Sequence, residues 1–471
     1  MESSIINYSQ IAAEDGSLRI DAEHYKSEYF RIKKLLLKNR SQELLRFIDR
    51  PVMTGHTPSM KNEKFYGGNV NFIKTDNLRE HYIEGEFTHK LSEEGNKKIK
   101  RSSLKENDVL VTIIGATFQI VGRACLIKKK DLPANINQNI ALIRVTRKLS
   151  PEYLTIYLNS YYGRNYLWYL SRQTEQVNLN CREVEKLLIP VFSSNLTGLS
   201  TELHKKAYSL YEKADELLQH AEQILLSELN LLNWKPKHRL SFIKNFSGTK
   251  SADRVDAEYF QPMYEEIVKR VTQYKKGNKP LGEIVKIKDK NFLPKNDVTY
   301  RYIELANISA NGNINGFIEA KGNELPSRAR RKVNTGDVIV SSIEGSLSSI
   351  ALITNDLDGA LCSTGFFVVK SDDINSETLL VSLKSLVGQL QLKKGCSGSI
   401  LTAIGKDEFE RIILPDIPAD VQEEIKQNIT EMYNAKASSK RLLDIAKRSV
   451  EMAIEKNEQT AMEWINKNVK D

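Results

Sequence analysis

A chain of 471 residues with 40% hydrophobic and 27% charged side chains is long enough for two or three domains with substantial cores. No apolar run approaches the ~20 residues needed to span a bilayer, and residues 1–15 lack the basic start and apolar block of a signal peptide, so a cytoplasmic protein with no membrane partner is expected. The net charge of +9 and pI near 9.0 fit a polyanionic partner, nucleic acid first among them.

Taken in order, the chain writes one unit twice. Arg19-Ile20-Asp21-Ala22-Glu23-His24-Tyr25, with Tyr29 beyond it, returns as Arg254-Val255-Asp256-Ala257-Glu258-Tyr259-Phe260 with Tyr264 at the same offset. Phe72-Ile73-Lys74-Thr75-Asp76-Asn77-Leu78 aligns with Tyr302-Ile303-Glu304-Leu305-Ala306-Asn307-Ile308, and the alternation predicts a strand. The stretch 104–111 matches 333–340, a tight turn entering another strand, and Ala141-Leu142-Ile143 matches Phe367-Val368-Val369. A short helix follows in each copy, at 152–160 and 377–385, then Gly163 or Gly388. Each copy closes on a similar phrase, Leu188-Ile189-Pro190 or Ile413-Leu414-Pro415.

Behind each phrase comes a long helix. Leu203, Ala207, Leu210, Ala214, Leu217, Ala221 and Ile224 step by four and three, which puts them on one stripe of a helix over 199–232. Ser200, Thr201 and Glu202 suit its first turn, and Pro236 suits its stop. About 34 residues at ~1.5 Å each make a rod of roughly 50 Å. Such a rod needs a partner. Val421, Ile425, Met432, Ala435, Leu442, Ala446, Val450 and Ala453 supply one over 418–457, and two antiparallel rods predict a paired spacer. Several short strands and a few helices per copy make the fold class α+β, with an internal pseudo-twofold duplication.

Catalytic patterns are hard to find. There is no phosphate-binding lysine loop, no zincin helix and no Asn-Pro-Pro-Tyr or Asp-Pro-Pro-Tyr tetrapeptide. Cys125, Cys181, Cys362 and Cys396 are scattered and read as reduced, buried thiols. Gly395-Cys396-Ser397-Gly398-Ser399 breaks the GxSxG frame and reads as a flexible loop. Asp416, Glu424 and Lys426 resemble a nuclease carboxylate-lysine set, but Glu424 falls in a first helical turn, where acids favour the helix dipole.

Basic residues recur instead. Lys97, Lys98, Lys100 and Arg101 precede the turn of the first copy, and Arg328, Arg330, Arg331 and Lys332 precede that of the second. Either cluster alone is an ordinary solvated face; recurrence favours a shared phosphate-binding edge. Small and polar side chains follow: Thr117 and Gln119, then Gln173, Gln176, Asn178 and Asn180 in one copy; Ser346 and Ser348, then Ser397, Ser399 and Thr402 in the other. Amides and hydroxyls are what base edges need, and they are also ordinary loop residues.

Gly55-His56-Thr57-Pro58-Ser59 followed by Tyr66-Gly67-Gly68, the turn at 105–111, the Ile189-Pro190 phrase and its counterpart, and the duplicated order resemble the specificity subunit of a type I restriction-modification system across 19–457. The resemblance implies an N-terminal segment at 1–39 and target recognition domains at 40–196 and 236–417. It also implies spacer helices at 197–235 and 418–457 and a charged tail at 458–471. Each recognition domain would read half of a split site in double-stranded DNA. The rods would set the gap, with half-sites centred roughly 34 Å apart, and dock two DNA methyltransferase subunits. By the same resemblance this chain has no catalytic, metal or cofactor site: S-adenosylmethionine belongs to the partner adenine methyltransferase, and ATP and magnesium to partner restriction subunits. The second copy carries Lys290-Asn291-Phe292-Leu293-Pro294 where the first has its Gly-x-Thr-Pro stretch, so an asymmetric target is expected. Two rival readings are a coiled-coil adaptor that binds protein, and a stand-alone nuclease using Asp416 and Glu424.

Overall fold

The computed structural model describes Asn7 and residues 24–85, 87, 89–172, 177–309, 311–398 and 402–469. The chain divides into two units, Met1–Tyr211 with Ala437–Asp471, and Glu212–Lys436. Residues 19–23 of the first repeated motif lie outside the described residues.

The two units repeat one topology. In the first, a sheet runs Met53–Thr54, Ile140–Ile143, Val109–Thr112, Ala124–Leu126, all antiparallel. In the second the order is Val285–Ile287, Phe366–Ser371, Val338–Ser341, Ile350–Leu352. Register follows the repeat in the sequence: Val109 faces Ile143 and Val338 faces Val369. Both central strands, Val109–Thr112 and Val338–Ser341, are buried at every residue, which suits their β-branched runs. A parallel pair stands beside each sheet, Tyr66–Ile73 with Ala134–Ile136 and Thr299–Ile303 with Leu361–Ser363.

Both strands predicted at 72–78 and 302–308 end early. They stop at Ile73 and Ile303, because the Asn77 and Asn307 side chains accept the N–H of Lys74 (3.0 Å) and Glu304 (2.8 Å) and close a 3-10 turn. The turn before each central strand is built alike. Asp108 and Asp337 accept the N–H three residues back, each at 2.7 Å, and Asn107 (φ 69°) or Gly336 (φ 83°) supplies the left-handed step.

A helix corner also recurs. Pro151–Asn159 and Tyr161–Leu170 meet at Ser160; Ser376–Lys384 and Leu386–Gly395 meet at Ser385. Each serine caps the second helix, accepting from Gly163 or Val387 at 3.3 Å. Gly163 and Gly388 therefore lie inside a second helix, where the sequence predicts only one. A Cβ on Gly163 would stand 1.9 Å from the Tyr157 carbonyl oxygen, and one on Gly388 2.5 Å from Leu383 Cα. Gly163→Ala and Gly388→Ala are each expected to cost about 1–3 kcal/mol, seen as a lower urea midpoint. Unchanged midpoints in both would mean that the corner relaxes freely.

The long helices, Ser194–Glu228 and Ala419–Glu455, have 35 and 37 residues. Each gives one stretch to either unit. In the first unit the Ser439 hydroxyl donates to the Ala207 carbonyl at 2.7 Å and Glu458 accepts the Ser193 N–H at 3.0 Å, so the stretches run antiparallel. In the second, His220 bonds Asn428 at 3.0 Å and Lys213 pairs with Glu431 at 3.7 Å, in the same sense. Leu203, Ala207, Ala214, Ala221, Ile425, Met432, Leu442 and Ala446 are buried, whereas Leu210 and Leu217 are half-buried.

The helix ends differ from expectation. The central helix starts at Ser194, so Ser200 is a buried interior residue whose hydroxyl donates to the Leu196 carbonyl at 2.9 Å. It stops at Glu228, well before Pro236. Asn230 takes φ 54°, its N–H reaches the Ser227 carbonyl, and the Leu231 N–H reaches the Leu226 carbonyl at 2.7 Å, a Schellman ending with Leu226 and Leu231 in one apolar cluster. The charged tail holds a helix, Glu458–Asn468, that buries Ala461 and Ile465. No described helix is long and apolar enough to cross a membrane.

Candidate nucleic-acid interface

The central strand of each unit leads into a hairpin connection, 113–123 in the first and 342–349 in the second. Tertiary pairing adds a second segment to each. Ile114–Gly115 pairs with Val177–Asn178, bringing Asn178 beside the loop that carries Thr117 and Gln119. In the second unit Ile343 bridges to Ala403, and Ala403–Ile404 pairs with Cys396–Ser397. So the polar residues read as separate runs in sequence are neighbours in each unit.

Their exposure sorts them. Thr117, Gln119, Asn178 and Ser348 are exposed. Ser346 is not an open hydroxyl: it is half-buried and bonds Ser341 Oγ at 2.9 Å and the Ile343 carbonyl at 3.3 Å. Asn180 is a helix cap, accepting the Glu183 N–H at 3.0 Å. Gln173, Gln176 and Ser399 lie outside the described residues. The stretch around Cys396 and Ser397, expected to be a flexible loop, begins as a paired strand because Gly395 lets the Ile404 side chain pack closely; an added Cβ would meet it at 2.6 Å.

The basic clusters hold one position in the chain but differ in local structure. Lys97 and Lys98 end the helix Glu93–Lys98, and Lys100 and Arg101 lie in the 3-10 turn Lys100–Ser102; all four are exposed. Ser92 caps that helix, accepting the Gly95 N–H at 3.0 Å, with Glu93 and Glu94 in its first turn. The second copy lacks these signals, and Ala329–Lys332 is a strand paired with Leu361–Ser363. Arg328 and Lys332 are exposed, Arg330 and Arg331 half-buried, and the Lys332 ammonium lies 5.6 Å from the Phe292 ring. The Arg328 backbone is tied toward the loop: its carbonyl accepts the Thr364 N–H at 2.9 Å, and the next residue, Gly365, accepts the Ser342 N–H at 2.9 Å.

Three loop-holding side chains carry no signal in the local sequence. Arg164 donates to the Phe118 carbonyl at 2.5 Å, Gln389 to the Leu347 carbonyl at 3.1 Å, and Lys384 to the Ser348 carbonyl at 3.0 Å. Burial first, then the neighbouring Lys436, lowers the Lys384 pKa to about 7 against the pull of Glu222. Only their common place in the repeated corner helices could have pointed to them.

No known family model matches the chain. It is 26% identical over 169 residues to the Type I restriction enzyme EcoBI specificity subunit of Escherichia coli, covering 34% of this chain and 33% of that one. To the HindI specificity subunit of Haemophilus influenzae it is 28% identical over 163 residues, again 34% and 33%. Over that stretch the chain is similar to type I specificity subunits. These matches span about a third of the relatives' length. The solved S subunit of a type I restriction-modification system from M. genitalium aligns over 90% of this chain and 95% of its own, at 12% identity and a TM-score of 0.37.

Asp416 and Glu424 are both exposed, one just past the strand Ile413–Pro415 and the other in the first turns of Ala419–Glu455. Among the described residues no three His, Cys, Asp or Glu side chains are grouped to hold a metal. Cys125, Cys362 and Cys396 are buried thiols, whereas Cys181 is only half-buried at the start of the short helix Cys181–Glu185.

Proposed function

We propose that this chain is the DNA-binding specificity subunit of a type I system, each unit reading one half of a split, asymmetric double-stranded target. Its partners are two adenine methyltransferase subunits, which bring S-adenosylmethionine, and restriction subunits, which bring ATP and magnesium. The chain itself supplies recognition and no catalytic group. The observation that carries this reading is the duplicated hairpin connection, offering exposed Thr117, Gln119 and Asn178 in one unit and Ser348 in the other. Asymmetry follows from the loops' different lengths and residues. The two long helices, shared by both units, set the gap between half-sites.

Mapping methylated adenine across the source genome, with and without this gene, tests the proposal. Loss of one split, asymmetric motif supports it; an unchanged pattern in a cell that expresses the methyltransferase counts against it. The basic edge makes a second prediction. Replacing Lys97, Lys98, Lys100 and Arg101 by Ala should weaken binding to every duplex and flatten the log–log salt slope by about one for each phosphate that is no longer neutralised. A weakening confined to the correct target, with the slope unchanged, would rule out a phosphate role for these residues.

A further inference from the structure

In both units the loop after the central strand is held from the same place on the fold. Arg164, on the helix Tyr161–Leu170, donates from Nη2 to the Phe118 carbonyl at 2.5 Å, and its guanidinium lies 5.2 Å from the Phe118 ring. Gln389, on Leu386–Gly395, donates from Nε2 to the Leu347 carbonyl at 3.1 Å and the Leu383 carbonyl at 3.0 Å. The donors stand at the same step after the corner serines Ser160 and Ser385. The acceptors stand at the same step after the matched valines Val111 and Val340. The hydrogen bond is thus duplicated while the side chain making it has changed.

Arg164 is an unusual choice for holding a carbonyl. It is only 6% exposed, and its Nη1 is buried with no hydrogen-bond partner. Burial pulls its pKa down to about 10 despite the opposing field of Glu80. A buried cation on a neutral acceptor costs stability that a smaller neutral donor would not. What it adds is a second restraint, since the guanidinium holds the Phe118 ring as well as the Phe118 carbonyl, and Trp168 meets that ring edge-on at 5.5 Å.

We infer that Arg164 and Gln389 are positioning residues for target reading, each fixing the backbone of its unit's loop so that the flanking side chains meet base edges in one orientation. Those side chains are Thr117 and Gln119 in the first unit and Ser348 in the second. The inference rests on the DNA-reading function proposed above. Hydrogen-bond readout of bases tolerates little displacement, so a loop that wanders loses discrimination before it loses affinity for DNA in general.

The test uses the complex of the full chain with its methyltransferases, and the target motif found by methylation mapping. Arg164→Met, Arg164→Gln and Gln389→Leu are compared with wild type on the true duplex and on duplexes altered in one half-site or the other. Arg164→Met should reduce discrimination at one half-site tenfold or more and leave the other intact, with unchanged salt dependence on non-specific DNA. Gln389→Leu should do the reverse. Arg164→Gln, which restores a donor of the second unit's kind, should recover most of the loss. Wild-type discrimination in both folded variants overturns the inference, as does an equal loss on all duplexes, which marks a merely structural role. A wild-type complex that does not discriminate overturns the functional reading and this inference together. If Arg164→Met does not fold, Gln389→Leu and Arg164→Gln decide between the same outcomes.

Discussion

Acidification from near neutral to about pH 4.5 is expected to unfold the first unit well before the second. His81 and His204 are 2% and 0% exposed, their ring centroids are 5.4 Å apart, and no ring nitrogen of either has a hydrogen-bond partner. Burial lowers the His204 pKa to about 3, with Lys128 adding to it; burial, His204 and Lys447 hold His81 well below its usual range. Other charges on the same hairpin, Glu80 and Glu84, are taken up by Lys447 (3.6 Å) and Arg79 (3.6 Å). The folded pKa values lie below the unfolded value of ~6.5, so the unfolded chain binds protons that the folded one refuses. Stability is complete above about pH 6.5 and falls below it by up to about 1.4 kcal/mol per pH unit for each histidine. His204 alone, with its folded pKa at about 3, loses roughly 2–3 kcal/mol over about two pH units, and His81 adds to the loss in the same direction.

The second unit has no such pair at the matching hairpin, where Asn311 bonds Asp215 at 3.0 Å. Urea unfolding across the pH range should therefore show a steep profile when followed by Trp168 and Trp464, in the first unit, and a flatter one by Trp234, in the second. His204→Leu should reduce the first unit's extra slope, since one proton-linkage contribution is gone and His81 loses a neighbour that opposes its charge. A wild-type profile already flat between about pH 7 and about pH 5 would show that the imidazoles find protons or water in the folded state.

Asp108→Ala is expected to cost the first unit about 3 kcal/mol, toward the lower end for a broken buried pair because the arginine keeps some solvent. Both Asp108 oxygens accept from Arg144 at 2.6 Å, with side chains 1% and 16% exposed, and the bond holds the Arg144 pKa above its usual value. The carboxylate also closes the turn through the Lys105 N–H. The matching Asp337→Ala should cost less, about 1–2 kcal/mol, because Lys288 is 36% exposed and regains water when its partner is removed. Equal losses at the two positions would mean that the turn bond, common to both, carries the whole effect. Combining Asp108→Ala with Arg144→Met should restore part of the loss, since the stranded charge is then gone.

Much of the architecture was legible in one sequence because it is written twice. Valine-rich runs at 109–111 and 338–340 are buried central strands, and the matched stretches at 141–143 and 367–369 pair with them in one register. Periodicity found both long helices for the same reason: a stripe of Leu and Ala at steps of three and four has only one way to be buried. Their ends were less legible. The Pro236 signal was overruled by Asn230, whose small amide side chain tolerates the left-handed step that a Schellman ending requires.

The duplication, the α+β class, the two long helices and the positions of the basic clusters are all written in the chain itself, as a repeat, a periodicity or a run of charge. Which polar residues keep company was left to tertiary pairing. It set Asn178 beside Thr117 and Gln119 by a strand pairing across more than fifty residues, and turned the Ser346 hydroxyl inward onto Ser341. It also built each long helix into both units, packing the Tyr82 ring on Tyr211 at 4.0 Å and its hydroxyl on Ser439 at 2.7 Å. Arg164 and Gln389 became visible only there, because a side chain's partner on a loop far along the chain is set by packing, which no local pattern encodes.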